Sequence, residues 1–222
     1  MGPTVAIMQP YFLPYAGYFR LLSGSDTFVI YDCVQFPRRG WVHRNKLRDP
    51  AGAEQWLTLP LKPAPQDTRI DQLAFPDDAA DELDRRLRPF RLDGAAGAAA
   101  ELLGEVRRVE GRPVDYIVRL METVCRLVDV PWNVVWSSSL DVPDTFRGQD
   151  RILEICRRVG AAHYINAPGG RELYDAGAFA AAGVKLQFLP RFDGATGSIL
   201  QRLLDDPPGR VRDELYGWRA ED

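Results

Sequence analysis

Two short apolar runs within the first 31 residues, Val5-Ala6-Ile7-Met8 and Thr27-Phe28-Val29-Ile30-Tyr31, constrain this chain more than any other feature. Each is too short for a helix and too uniformly apolar for a strand with one wet face. Such runs read as strands covered on both sides, the condition of a parallel sheet. Between them, Ala16 to Leu22 has room for a helical turn or two, ended by Ser23-Gly24-Ser25-Asp26. Strand, helix and strand within about 30 residues make a βαβ unit with a right-handed crossover.

The same alternation returns at the other end of the chain. "NVVWSSSL" (133–140) has strand character and ends on serines, "DRILEICRRVGA" (150–161) is an amphipathic helix stopped at Gly160, and "HYINA" (163–167) is a short strand followed by the turn "PGG". "RELYDAGAFAAAG" (171–183) reads as helix, "VKLQFL" (184–189) as strand, and "TGSILQRLLDD" (196–206) as a helix starting near Ser198. Trp56 to Leu61 alternates like a strand, and Ile70 to Phe75 is expected to add a short one. From Ala79 to about Val130 the spacing turns helical, with Ile117, Leu120, Val124 and Leu127 on one face.

The expected class is therefore α/β: a mainly parallel sheet with flanking helices, with a HUP or nucleotidyltransferase-like arrangement as one option, interrupted by a helical insert. The expected organisation is an N-terminal α/β half (1–78), a helical insert or lobe (79–130) and a C-terminal half (131–222) completing the same domain.

Composition limits the function classes. A formal charge of −3 over 222 residues gives no electrostatic ground for nucleic acid or an anionic membrane as principal partner. Three cysteines without C-x-x-C spacing, all in apolar contexts, fit reduced thiols and a cytoplasmic setting. No leader-like segment opens the chain and no 18-residue apolar run occurs. Two histidines and no thiolate cluster argue against a metal site, and no cofactor is named by any motif. The expected partner is a small molecule; oligomeric state is not legible.

In an open α/β sheet, ligands bind beyond the carboxyl ends of the strands, so the residues there are the candidates. After the first strand, "QPYFLPYAGYF" supplies the Gln9 amide, the rings of Tyr15 and Tyr18, and Gly17, which permits close approach. After the second, "DCVQFPRRGWVHRNKL" carries Asp32, Gln35, Arg38, Arg39, Trp41, His43, Arg44 and Asn45. Arginine forks suit phosphate or carboxylate, so Arg38, Arg39 and Arg44 are expected to hold an anion. Asp32 and His43 are the candidate general bases. After "HYI", Asn166, Gly169, Gly170 and Tyr174 are placed to line a pocket. Cys33 beside His43 invites a thiolate pair, but a small thiol at a strand end is commonly core. Ser137 to Ser139 lack a nucleophile-elbow setting and read as capping or hydrogen-bonding groups.

Pro14 to Tyr18 resembles the P-F-H-x-G-H loop of HIGH-type nucleotidyltransferases, with tyrosines Tyr15 and Tyr18 where that loop has histidines. "GATGSILQRLL" is faintly similar to the serine-bearing helix start late in those folds.

The chain as a whole resembles the WbqC-like family. The resemblance rests on "MQPYFLPYAGYFRLL", on "DTFVIYDCVQFPRRGWVHRNKL" and on "DRILEICRRVGAAHYINAPGGRELYDAGAFAAAGVKLQFL". It implies an accessory enzyme of polysaccharide, amino-sugar or specialised-metabolite biosynthesis, with acyl or aminoacyl transfer to an amino sugar as the proposed role. The matched positions are Gln9, Pro10, Pro14, Gly17, Tyr18, Asp32, Gln35, Arg39, Trp41, Arg44, Asn45, Asn166, Gly169, Gly170, Leu173 and Tyr174. This chain departs from the pattern after Asp32, where a second acid is expected and Cys33 stands. The rival expectations are nucleotidyl transfer and a non-catalytic metabolite-binding protein.

Overall fold

The apolar runs do become strands. The computed structural model describes residues 2–222. Its first half contains β1 (Thr4–Met8), α1 (Arg20–Ser23), β2 (Thr27–Ile30), β3 (Arg44–Arg48), β4 (Glu54–Thr58), α2 (Ala79–Leu87), α3 (Gly97–Arg107) and α4 (Pro113–Leu127). The second half adds β5 (Val134–Trp136), α5 (Gly148–Arg158), β6 (His163–Asn166), α6 (Ala176–Ala181), β7 (Lys185–Phe188), α7 (Ile199–Asp205) and α8 (Pro208–Asp213). Five strands form one parallel sheet in the order β5-β2-β1-β6-β7, and β3 and β4 pair separately as an antiparallel hairpin. Chain order runs outward from β1 in one direction through β2 and β5, then in the other through β6 and β7. The sheet is thus doubly wound, and its order reverses between β1 and β6.

Alternation along each strand builds two cores. Ala6, Phe28, Ile30 and Ile165 join Phe19, Leu102, Ile117 and Leu200 in one buried cluster, so α2 to α4 pack into the same core as the sheet. Val5, Ile7, Val29 and Tyr164 meet Ile152, Ile155, Cys156 and Phe179 from α5 and α6 on the other side. Burying both faces is why these strands carry so few polar positions.

Three local expectations need correction. Ile70–Gln72 is a 3-10 turn rather than a strand. The segment does run beside the chain after β2, through Phe36 N–H to Thr68 O and Ile70 N–H to Val34 O. It then curls so that Ile70 is fully buried, which ends the pairing. Residues 171–183 are not one helix: a 3-10 stretch (Pro168–Leu173) and α6 are separated by extended Tyr174. Asp175 caps α6 by accepting the Gly177 N–H, and this fixes where the helix begins. The basic segment after β2, for which no element is expected, contains a strand: Arg44 to Arg48 is β3, with Asn45 and Leu47 buried between the more exposed Arg44, Lys46 and Arg48.

Candidate functional site

Register decides what meets at the sheet's carboxyl edge. Met8 stands beside Ile30, Ile30 beside Trp136, and Asn166 beside Phe188. The next residues of each strand, Gln9, Tyr31, Ser137 and Ala167, therefore emerge along one rim. At the order reversal between β1 and β6 this rim opens into a cleft of about 460 Å³. Its walls include Tyr11, Tyr15, Tyr18 and Trp41 on one side, and Gly169 and Thr196 on the other.

The "PYFLPY" loop that forms one wall is held from beneath. The Asn45 side-chain amide donates to the Leu13 carbonyl, the Phe12 N–H donates to Val42 O, and Ile199 N–H donates to Pro14 O. Leu13 is fully buried with φ near +49°, a left-handed conformation that costs a non-glycine residue energy and persists only because its surroundings hold it. Asn45 thus reaches the cleft as the anchor of its wall. Gly17 matters for a different reason than ligand approach: a Cβ there would lie 2.4 Å from the Tyr15 ring and 2.6 Å from Phe192. Its bare Cα lets those two rings pack, with centroids 5.7 Å apart.

Tyr18 is buried and donates its hydroxyl to Gln9 O at 2.7 Å, and burial holds its pKa well above the tyrosine range. Tyr11 and Tyr15 are part-exposed, and burial raises both pKa values more mildly. They present neutral ring faces. Among the described residues, no ionisable side chain other than tyrosine lines this cleft.

The cleft continues along the rim. A second chamber shares Met8, Ala167 and Gly169 with the first and is lined by Gln9, Asn166, Gly170, Tyr174 and Tyr31. The Asn166 side-chain oxygen accepts the Ala167 N–H at 2.7 Å, which turns its NH₂ toward Gly170. A Cβ on Gly170 would sit 2.5 Å from that nitrogen. Tyr31, its pKa pushed up to about 12 chiefly by burial, leads from this chamber into a third space beside Cys33.

The two nominated bases do not line the cleft. Asp32 is 1% exposed, and its carboxylate accepts from Ser137 Oγ (2.8 Å), Ser138 N–H (2.9 Å) and Ser138 Oγ (2.6 Å). It ties the end of β2 to the turn after β5. His43 packs edge-on against Phe36, with centroids 4.9 Å apart. Burial, then Arg44 and Arg86, lowers its pKa to about 4, so the ring is neutral near pH 7.

Two of the three arginines grouped in sequence are likewise engaged elsewhere. Arg38 donates to Ala64 O; Arg44 donates to Gly40 O and Arg39 O and stacks over Trp56 at 4.3 Å. Arg39 is exposed, and the Gln35 amide donates to Gln66 O while its residue borders the third space. Residues that sequence reasoning did not single out take the equivalent place: Arg69, Arg147 and Arg151 surround Cys33. Nothing in "DRILEICRRVGA" marked Arg151 as buried, because an arginine in a helix's first turn ordinarily faces water.

A further depression of about 670 Å³ between the hairpin and α2 is lined by Asp49, Arg86 and the exposed Arg91, and the first two are already paired. Asp49 accepts from Ala51 and Ala53 N–H, and Arg86 donates to Glu82 and Thr58 O. Among the described residues no group of three His, Cys, Asp or Glu side chains is arranged to chelate a metal ion, and no helix is long and apolar enough to cross a membrane.

Comparison with known proteins matches this architecture to one family. The sequence profile of the WbqC-like protein family aligns with residues 9–193, which include every wall of the cleft except Met8 and Thr196. A curated protein of Mycobacterium tuberculosis, "Uncharacterized protein Rv1507c", is 25% identical over 197 residues, covering 86% of this chain and 83% of that one. No solved structure matches the chain.

Proposed function

We propose that this chain, which belongs to the WbqC-like protein family, transfers an acyl or aminoacyl group to the amine of a small nucleotide- or phosphate-bearing substrate. The observation that carries this is the aromatic-walled cleft at the order reversal of a doubly wound sheet, where such folds bind their ligands. Tyr11, Tyr15 and Trp41 offer ring faces to a base or sugar, while Gly169 and Asn166 edge the neighbouring chamber.

In the reaction, the amine lone pair forms the new C–N bond at the donor's acyl carbon. The bond from that carbon to the leaving group breaks, and the leaving group departs with its electron pair and takes up the proton the amine loses. The cleft contributes positioning and exclusion of water rather than a charged base. An activated donor, such as a thioester, suits a site of that kind. Asp32 and His43 act in this scheme as positioning groups: Asp32 fixes the rim at β2 and β5, and His43 packs beneath the hairpin. Nucleotidyl transfer fits less well, since Tyr18 is held inward on Gln9 O where a phosphate-binding histidine would be needed.

Thermal unfolding against nucleosides, nucleotide sugars, amino sugars and acyl-CoA, with and without magnesium, tests the proposal. A ligand at about a hundred times its Kd adds roughly 2.7 kcal/mol of stability. Tyr15→Ala should weaken the responding ligand about tenfold, the scale of one stacked ring. If no base- or sugar-bearing compound stabilises the protein, or Tyr15→Ala binds it unchanged, the cleft is not the substrate site. The same uncharged lining would suit a binding protein without turnover; ligand affinity with no product from any acyl donor would establish that instead.

A further inference from the structure

The third space along the rim, about 520 Å³, has a different chemistry from the cleft. Arg151, in the first turn of α5, is 4% exposed. Its guanidinium is met mainly by carbonyl dipoles at long range: Val142 O and Pro143 O at 3.4 Å, and Phe146 O at 3.3 Å. Cys33 Sγ lies 3.2 Å from Nη2. The nearest carboxylate, Asp144, stands 3.6 Å away and is itself 72% exposed. The Nε–H is buried with no partner at all. A charge taken out of water needs a close counter-charge, and this one lacks it among the described residues.

Other groups point the same way. Arg147 borders the space, is exposed, and forms no ion pair among the described residues. It is also the N-cap of α5, an eleven-residue helix whose start no side chain caps. The first-turn N–H groups of such a helix favour an anion. Arg69 is held bidentately by Asp71, at 3.0 and 2.6 Å, so it adds shape more than net charge. Against these stand two exposed acids on the rim, Asp67 and Asp144. With the Arg69–Asp71 pair neutral, Arg147 and Arg151 face Asp67 and Asp144, and Asp150 lies in the first turn of α5. The pocket is balanced in charge, but among the described residues its one buried charge is the cation Arg151.

We infer that this pocket is an oxyanion subsite that takes a phosphoryl group, bound by Arg151 and Arg147 at the N-terminus of α5. The phosphoryl group replaces the missing counter-charge of Arg151 and accepts from several donors at once, which a single carbonyl cannot do. Tyr31 borders both this pocket and the second chamber, which in turn shares Met8, Ala167 and Gly169 with the aromatic cleft, so a base- or sugar-bearing phosphate is the ligand class that would use the whole rim. That last step rests on the transfer proposal above; binding of phosphate itself does not.

The test is thermal unfolding in inorganic phosphate, run on the wild type, on Arg147→Gln and on Arg151→Gln, with an uncharged nucleoside as a separate arm. Wild type should gain several degrees at saturating phosphate, and Arg147→Gln, a change at an exposed residue, should lose most of that gain. An equal gain in Arg147→Gln would mean general salt exclusion and would overturn the subsite, as would no gain in wild type. Should Arg151→Gln not fold, Arg147→Gln decides alone. A nucleotide that stabilises more than phosphate and nucleoside together identifies a substrate phosphate; a nucleotide no better than phosphate identifies a free-phosphate site. A phosphate response with no added stability from any nucleoside, sugar or nucleotide sugar removes the cleft proposal and leaves this one standing.

Discussion

Two sets of arginines show how sequence proximity and spatial convergence differ. Arg38, Arg39 and Arg44 lie within seven positions of one another, on a segment whose backbone turns sharply and leaves carbonyls without partners. Arg44 answers two carbonyls of its own segment, Gly40 and Arg39, and lies flat on Trp56, while Arg38 donates to the distant Ala64 carbonyl and Arg39 is exposed. Arg69, Arg147 and Arg151 come from segments far apart in the chain, yet they share one pocket beside Cys33. In the first set, Arg44 braces the hairpin through Trp56 and Arg38 ties the segment to Ala64. The second includes a buried cation without a close carboxylate, the arrangement that favours an external anion.

The most severe way to break this comparison is to remove the buried cation. Arg151→Met strands the carbonyls of Val142, Pro143 and Phe146 but also removes a buried charge without a close carboxylate. These effects have opposite sign, so stability in urea unfolding is expected to change by no more than about 1 kcal/mol. The large effect is on the phosphate gain, roughly 2.7 kcal/mol at a hundred times the Kd. Saturating phosphate should no longer add stability to this variant. A variant that still gains stability from phosphate would mean that Arg151 is not part of the anion site.

Arg44→Ala should cost about 1 kcal/mol, because a part-exposed guanidinium loses one ring contact and two backbone bonds that water can replace. Its response to phosphate should be that of the wild type. If it instead abolishes phosphate stabilisation, the hairpin set is the anion site and the two roles are exchanged.

A third contrast is a pH slope from His43, seen only on acidification. Its folded pKa of about 4 lies below the ordinary histidine value near 6.5, so the unfolded chain binds the proton more readily. Its contribution to stability is therefore complete above about pH 6.5 and falls away as pH drops toward 4. His43→Gln should flatten that part of the curve. An unchanged slope would show that other groups produce it.

Much of the fold was legible because burial on both faces leaves a strong local trace. The runs at Val5, Thr27 and His163 became parallel strands, and the periodic stretch from Ala79 became three helices. The hairpin strand at Arg44 was missed since its alternation is carried by Asn45 and Leu47 between charged residues, a pattern that resembles a basic loop. Ile70 was misread for the opposite reason: an apolar residue in an extended context was buried by a turn rather than by a ladder. Within the site, Gln9, Tyr15, Gly17, Tyr18, Trp41, Asn45, Asn166, Gly169, Gly170 and Tyr174 do gather along one continuous rim. That much followed from placing them after strands of one parallel sheet.

By itself, then, the sequence determined the class of sheet and the edge at which its unusual residues would collect, because strand character and chain direction are properties of short segments. Which side chains face that edge was decided only by tertiary structure. Whether an arginine points to solvent, to a neighbouring carbonyl or into a pocket depends on groups brought alongside it by the fold. Arg44 found Gly40 and Trp56 nearby, whereas Arg151 met Cys33, 118 positions earlier in the chain.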